Sequence, residues 1–338
     1  MLNPKCKSMK KWNAILGVDV SKKTLDVCCA GRRLHVRIEN NSKGFSLLAK
    51  WCRDHSIGLG KVLLVMEYTG GYEYRLLQFC QAKGICYCRV PGLEIKHSMG
   101  MVRGKSDYSD SYRISRYGEE KPDLLEASKP LNNSILQLKQ YLSFRKRLVR
   151  ENAGLLSTVK ERKFMYSVGE REFLVGMARE KIAANRKYIA EIEERIMQLV
   201  KADEAMCRNY RILVSIKGVG SINAWMAIAY TENFRSFTDA RKYAVFVGVV
   251  PFEHTSGTSI RGRKRVSYLA NKEIKQELNQ AAKSAMRHDT EIRAYAERKL
   301  KDKAYPLVLN NVKFKLILRM FSLVKRGEEY VENYRRVA

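Results

Sequence analysis

The sequence predicts an α/β front segment joined to an all-α remainder, and three observations carry that division. Short apolar runs separated by turn signals occur up to about residue 90. From 131 to 204 apolar residues recur at helical spacing with no proline among them. Beyond 205 further apolar helical stretches follow, interrupted by glycine turns and one strongly basic stretch.

In chain order, strand-like runs fall at 13–20, 24–30, 33–39, 61–67 and 84–90, with amphipathic helical stretches near 43–55, 72–83 and 107–117. The first three runs lie too close together for a crossover, so they form an antiparallel meander. The later strands are separated by helices, which implies parallel pairing. Three strands, helix, strand, helix, strand, helix is the order of a ribonuclease-H-like domain, assigned to residues 1–130. In that fold an acid of the first strand meets acids of the fourth strand and the last helix.

Acids stand at those positions. Asp19 ends the run Asn13 to Asp19, Glu67 ends Val62 to Glu67, and Asp107 and Asp110 stand three apart, on one face of a helix. Acids at the ends of adjacent buried strands, facing two more on a helix, can hold Mg²⁺ against a phosphate. A single strand-end carboxylate is ordinarily a solvated turn residue; it is the pattern of four that favours chemistry. Asp26, inside the second strand, and Glu73, opening a helix, stay outside the set. Tyr108 and Tyr112 flank the helix acids and read equally as packing residues or nucleic-acid contacts.

Residues 131–204 carry Ile135, Leu138, Leu142, Leu148 and Leu155, then Ile182, Ile189, Ile192, Ile196 and Leu199 among many charges. This pattern predicts a long helical hairpin or coiled coil turning near Tyr166 to Gly169, either an oligomerisation surface or an arm packed on its own domain. In the last segment, 205–338, two apolar helices flank Gly218-Val-Gly220, the pattern of a helix-hairpin-helix. Its backbone N–H groups can grip a phosphate without reading sequence, with Lys217 beside the turn. Next come Pro251 to Gly257 and a basic stretch containing Arg261, Arg263, Lys264 and Arg265. Helices are then expected at about 267–288 and 304–326.

The charge narrows the partners. Lys and Arg outnumber Asp and Glu by 64 to 35, a net +29. The surplus runs through all three segments: 23 basic to 13 acidic, 15 to 10, and 26 to 12. A surplus this broad points to a large bound polyanion, most plausibly nucleic acid. No tract is long and apolar enough for a membrane span, and no secretory signal opens the chain. Eight cysteines at no framework spacing read as reduced thiols in a cytoplasm.

Taken together, these residues resemble the insertion sequence 110 family of transposases, DEDD-type serine recombinases, over nearly the whole chain. The resemblance lies in the four acids, the helical middle, the helix-hairpin-helix, and a Pro-x(4)-Ser-Gly element, here Pro251-Phe-Glu-His-Thr-Ser-Gly257. It implies that Asp19, Glu67, Asp107 and Asp110 hold Mg²⁺ (or Mn²⁺) and that Ser256 attacks DNA. It further implies donor and target DNA as substrates, a structured guide RNA, and a homo-oligomer, dimer or tetramer. Acids and serine would then come from different subunits, in a bacterial or archaeal cytoplasm at the nucleoid. The chain departs from the family pattern in two places. Ser111 follows the last acid where alanine is usual, and Val266-Ser-Tyr-Leu-Ala-Asn-Lys-Glu273 replaces a Lys-x-Gly element.

A serine hydroxyl needs activation or a well-stabilised transition state. Metal held by the four acids would supply the stabilisation by neutralising phosphate charge, and Arg261, Arg263, Lys264 and Arg265 would add to it. A phosphoserine link would keep the bond energy for rejoining, with no need of ATP. His254 reads as an exposed loop residue. Two rival readings remain: a Mg²⁺-dependent nuclease of the Holliday-junction-resolving type, in which water attacks, and an architectural nucleic-acid-binding protein.

Overall fold

The computed structural model describes residues 12–68, 70–98, 106–122, 125–130, 132–170, 172–256 and 260–332, the side chains of 253–265 excepted. The chain divides into two compact units, Met1–Leu131 and Asn132–Ala338.

The first unit is built on β1 (Ala14–Val20), β2 (Thr24–Cys29), β3 (Leu34–Glu39), β4 (Val62–Glu67) and β5 (Cys86–Val90), in sheet order β3-β2-β1-β4-β5. Its helices are α1 (Ser42–Asp54), α2 (Tyr74–Lys83), α3 (Gly92–Ser98) and α4 (Asp107–Glu120). As expected from loop lengths, β1, β2 and β3 pair antiparallel while β1, β4 and β5 pair parallel. One sheet face (Leu16, Val18, Leu25, Leu64, Met66) packs against Phe45 and Leu48 of α1 and Leu76 and Leu77 of α2. The other (Leu63, Val65, Cys86, Cys88) packs against Ile95 of α3 and Ile114 and Tyr117 of α4. Because the sheet is covered on both faces, β4 reads in sequence as an unbroken apolar run and not as an alternation. The short α3 has no counterpart among the expected elements.

The second unit begins with α5 (Asn133–Tyr166) and α6 (Phe173–Lys201). They run antiparallel: Arg145 pairs with Glu193 and Arg162 with Glu172, so residue numbers rise on one helix as they fall on the other. Six further helices follow: α7 (Glu204–Ser215), α8 (Ser221–Tyr230), α9 (Ala240–Val247), α10 (Lys272–His288), α11 (Thr290–Leu300) and α12 (Tyr305–Arg326). Between α9 and α10 lies a ribbon of β6 (Phe252–Ser256) and β7 (Ile260–Arg265). The ribbon and α11 are additions to the expected elements. The base of the hairpin and the later helices share one core, in which Ile135, Leu138 and Leu142 of α5 and Ile196 of α6 meet Met206, Ile228, Leu278 and Leu316.

Among the described residues no helix is long and apolar enough to cross a membrane. Cys28, Cys29, Cys52, Cys80, Cys88 and Cys207 are free thiols. Burial pushes the Cys80 thiol up to about 12 and the Cys28 and Cys52 thiols up to about 11, so these three are not ready nucleophiles at neutral pH. Cys86 departs from the expectation of reduced thiols, since it is disulfide-bonded.

Candidate active site

Register sets the acids in a row. Asp19 of β1 is the direct antiparallel partner of Asp26 of β2, which in turn faces Arg37 of β3. On the other side, β1 and β4 pair in parallel as far as Val18 and Met66, so Asp19 and Glu67 follow as neighbours. Directly paired residues share a sheet face. The row Arg37, Asp26, Asp19, Glu67 therefore crosses four strands on the side that α4 covers.

The sequence of α4 lets it come close. A Cβ on Gly17 would lie 2.1 Å from the Ser115 nitrogen and 2.3 Å from the Ser111 oxygen, so only glycine fits under the helix. One turn along, a Cβ on Gly118 would meet Ile15 at 2.7 Å. The Ser115 hydroxyl accepts from the Ala30 N–H (3.0 Å) and donates to the Ile15 carbonyl (3.1 Å), which fastens the helix to β1 and to the turn that follows β2. As the strand runs from Ile15 to Gly17, the contacting helix residues run from Gly118 to Ser111, so α4 is antiparallel to β1. Its first turn therefore lies at the end of the strand where Asp19 stands. Asp107, one turn before Ser111 on the same stripe, arrives there with Asp110. Ser106 caps this turn, accepting from the Ser109 N–H in a reciprocal capping pair.

The electrostatics record the crowding. Burial raises the Asp19 carboxyl to about 6, helped by the negative charges of Asp110, Asp107, Asp26 and Glu67. Glu67 lies over the start of α3, where its Oε1 occupies the place a Gly92 side chain would take. Cations hold two of the helix acids: Arg37 ion-pairs with Asp107, and Arg113 donates to Asp110 at 2.9 Å. Among the described residues, no three His, Cys, Asp or Glu side chains stand close enough to ligate one metal ion. The donor chemistry nonetheless suits a hard cation. All four groups offer carboxylate oxygens, the ligands Mg²⁺ takes, and their mutual repulsion is what a divalent ion relieves.

Asp26, left out of the sequence-based set, belongs to this region, though its carboxylate is fully engaged. It accepts from Arg37 Nε at 2.9 Å and bonds His35 Nε2 at 2.9 Å. The signal was present in the sequence. Folding the first two strands about Ser21 to Thr24 places Asp26 opposite Asp19, and alternation along β3 brings His35 and Arg37 to the same face. Glu73 is buried and accepts from the Gly71 N–H (2.9 Å) in the loop leading into α2.

In the second unit, α7 and α8 form the expected pair of helices around Gly218-Val219-Gly220. Gly218 has a positive φ of 93°, and a Cβ there would lie 2.6 Å from the Ala281 carbonyl of α10, so this glycine has a packing reason. Lys217 ion-pairs with Glu332. Gly220 caps α8 without a side-chain bond, and with Ser221 and Asn223 it borders a cleft of about 360 Å³ that also carries Glu193 and Glu277. Ser256 is the last residue of β6. Its register partner is Ile260, and Arg261 faces Thr255, so the basic stretch of Arg261, Arg263, Lys264 and Arg265 forms the strand beside it. The side chains of Ser256 and of these cations lie outside the described ones.

A unit that carries acids on a five-stranded sheet and a helical unit that follows it define a class when compared with known proteins: the transposases. Residues 16–161 match a transposase family model of the DEDD type named for IS110, and residues 210–297 match the model described as transposase, IS116/IS110/IS902 family. The chain belongs to this IS110 family of transposases, enzymes that recombine DNA. It is similar to the pilin gene-inverting protein of Moraxella bovis, at 24% identity across 78% of this chain and 80% of the relative. The pilin gene-inverting protein of Moraxella lacunata is 25% identical over the same shares. The transposase for insertion sequence element IS1111A of Coxiella burnetii is 25% identical over 72% of this chain and 70% of its own length.

Proposed function

We propose that this protein cuts and rejoins DNA to mobilise its own element, through a covalent bond between Ser256 and a DNA end. In this reading Asp19, Glu67, Asp107 and Asp110 hold Mg²⁺ or Mn²⁺, and a structured RNA guides the choice of site. The observation that carries it is the carboxylate row under α4, where Asp19 is half-buried among like charges and raised to about 6. Like charges are gathered and desolvated at functional sites far more often than in structural ones. The strand order β3-β2-β1-β4-β5 supports the ribonuclease-H-like reading of this unit.

The chemistry conserves phosphoesters. The Ser256 oxygen gives up its proton and bonds to phosphorus as the bond to a sugar oxygen breaks, and the leaving sugar oxygen takes up a proton, so none is gained or lost overall. In the second half, a sugar hydroxyl from another strand attacks the same phosphorus and releases the serine. Bound divalent metal would supply neutralisation of charge on the phosphate oxygens. Arg261 to Arg265, on the strand paired with the one that Ser256 ends, bring further positive charge to the phosphate. The reading requires the acids and Ser256 to act on one phosphodiester in the assembled complex, a homo-oligomer. Exposed Phe164 and Phe173 at the turn of the α5–α6 hairpin support self-association there. The backbone N–H groups at the start of α8, with Lys217, Gly218 and Gly220, are proposed to hold duplex phosphates. Relatives named for gene inversion favour rejoining over simple cutting, because an inverted segment must be resealed.

A denaturing gel of protein incubated with element-end DNA and Mg²⁺ tests the reading. A covalent DNA–protein adduct is expected, lost in Ser256→Ala with DNA binding preserved. Cleavage with free ends and no adduct would make the protein a water-using nuclease, and indifference to Asp19→Ala would make it architectural. Sequencing the RNA that co-purifies tests guiding: a single discrete species supports it, and only mixed host RNA counts against it.

A further inference from the structure

Beside the acid row lies a feature that holding metal does not explain. Tyr108 and Tyr112, one turn apart on α4, are 49% and 36% exposed although both interleave with acids that the helix must present. Their rings lie 6.3 Å apart, centre to centre, with planes 30° off parallel. Tyr108 also meets the His35 ring, centre to centre at 5.0 Å with the two planes perpendicular. His35 is itself fixed, since Nε2 bonds the buried Asp26 carboxylate, which Arg37 also grips. Three aromatic rings therefore adjoin one another as a wall of two near-parallel tyrosines met by a perpendicular His35, whose ring a buried acid holds. Beside it a cleft of about 450 Å³ opens, lined by Asp26, His35, Arg37, Ser106, Asp107 and Tyr108. Arg37 is half-exposed within it, a planar cation that can stack on a base or meet a phosphate.

We infer that this wall is a stacking subsite for an unpaired DNA base, holding one nucleotide out of the duplex beside the acids. The inference rests on the reading that the acid row acts on DNA. Tyrosine faces stack on any base, because every base has a π-face, so the subsite is tolerant of sequence. A duplex cannot use it, since paired bases keep their faces covered by their neighbours. The wall therefore selects strand openness at the point of reaction, and also accounts for Asp26. That acid stands next to Asp19 in register, yet its oxygens are committed to His35 and Arg37, which sets the rings in place.

The probe is a gapped DNA duplex with 2-aminopurine in the unpaired stretch, whose fluorescence falls when the base stacks. Full-length protein is used in metal-free buffer, so no bond is cut. Wild type and the double variant Tyr108→Phe/Tyr112→Phe are expected to quench the probe equally. The double variant Tyr108→Ala/Tyr112→Ala is expected to lose the quenching and bind the gapped duplex roughly tenfold more weakly, with fully paired DNA bound as before. Equal melting temperatures for the three proteins show that folding is not the cause. Undiminished quenching by the alanine variant overturns the inference, as does an equal loss of affinity for paired DNA. Tyrosine-dependent quenching confined to a 2-aminopurine RNA overturns it too. Because the readout needs no chemistry, the two readings fail separately. Quenching without adduct formation sinks the recombinase reading alone, and adducts without tyrosine-dependent quenching sink this one alone.

Discussion

Asp19 in the first unit and Asp289 in the second are both withdrawn from water, and their surroundings could hardly differ more. Asp289 is wholly buried and fully answered: Arg319 donates at 2.6 Å, the Tyr330 hydroxyl at 2.8 Å, and the Ile292 N–H at 2.9 Å where the carboxylate caps α11. Asp19 has no such answer. Among the described residues no cation touches it, and its neighbours are carboxylates. A buried acid with every lone pair satisfied is part of the architecture. One kept among like charges raises the energy of the folded protein, and groups of this kind cluster at functional sites.

The largest effect expected from this contrast comes from Asp289→Ala. The change takes from Arg319 its buried partner, leaving it only the more exposed Glu291, takes from the Tyr330 hydroxyl its acceptor, and uncaps α11, so urea unfolding should show a loss of about 3–5 kcal/mol. A loss below about 1 kcal/mol would mean that the pair carries no architecture and would dissolve the comparison.

Asp19→Asn should act with the opposite sign on stability. The folded carboxyl titrates near 6 against an ordinary value of 3.8. The folded protein therefore binds this proton more tightly than the unfolded chain does, and stability falls as pH rises from about 4 to about 6. Above that window the charged form burdens the fold by about 3 kcal/mol at most, at about 1.4 kcal/mol per pH unit, and by less once solvent screens this half-buried group. In metal-free buffer at neutral pH, Asp19→Asn should melt higher than wild type, and the gain should vanish below about pH 4. Adding Mg²⁺ should raise the melting temperature of wild type and not of the variant, which should also form no DNA adduct. A variant that is less stable at neutral pH would show that Asp19 is an answered acid after all.

Asp26 sharpens the contrast, because it sits beside Asp19 in register yet is held in the manner of Asp289. Asp26→Asn keeps the shape but weakens two bonds to cationic or polar partners, so a loss of about 1–2 kcal/mol is expected. If Asp26→Asn instead stabilises the protein, as predicted for Asp19, the row holds a fifth functional carboxylate.

Much of this was legible in the chain. The apolar runs ending in Asp19 and Glu67 announced two central strands, because strands buried on both faces must be apolar throughout. The spacing of Asp107 and Asp110 announced one helical face. What stayed hidden depended on register and on local structure with little hydrophobic signature. Asp26 read as an ordinary strand residue until its pairing with Asp19 and Arg37 was known. The basic β7, Ile260-Arg-Gly-Arg-Lys-Arg265, has no apolar alternation in its sequence to mark a strand. The short α3, of seven residues, fell below the length at which periodicity is readable, and α11 buries only Ile292 and Ala296, too few to mark a stripe.

Ser111 gives the smallest expected effect and the finest probe of how α4 is seated. Its side chain is wholly buried, its carbonyl lies against Gly17, and its hydroxyl donates only to the Tyr108 carbonyl at 3.0 Å within its own helix. That carbonyl sits in the helical ladder already, so losing the hydroxyl leaves no buried group unanswered. Alanine also has the higher helix propensity, by a few tenths of a kcal/mol. Ser111→Ala should therefore change unfolding stability by less than about 0.5 kcal/mol and leave adduct formation at the wild-type rate. What the position demands is smallness, because α4 must lie on Gly17 for Asp107 to reach the end of β1. Should Ser111→Ala slow adduct formation at unchanged stability, the hydroxyl would have a part in the acid edge, and the seating of the helix would explain less than is claimed for it.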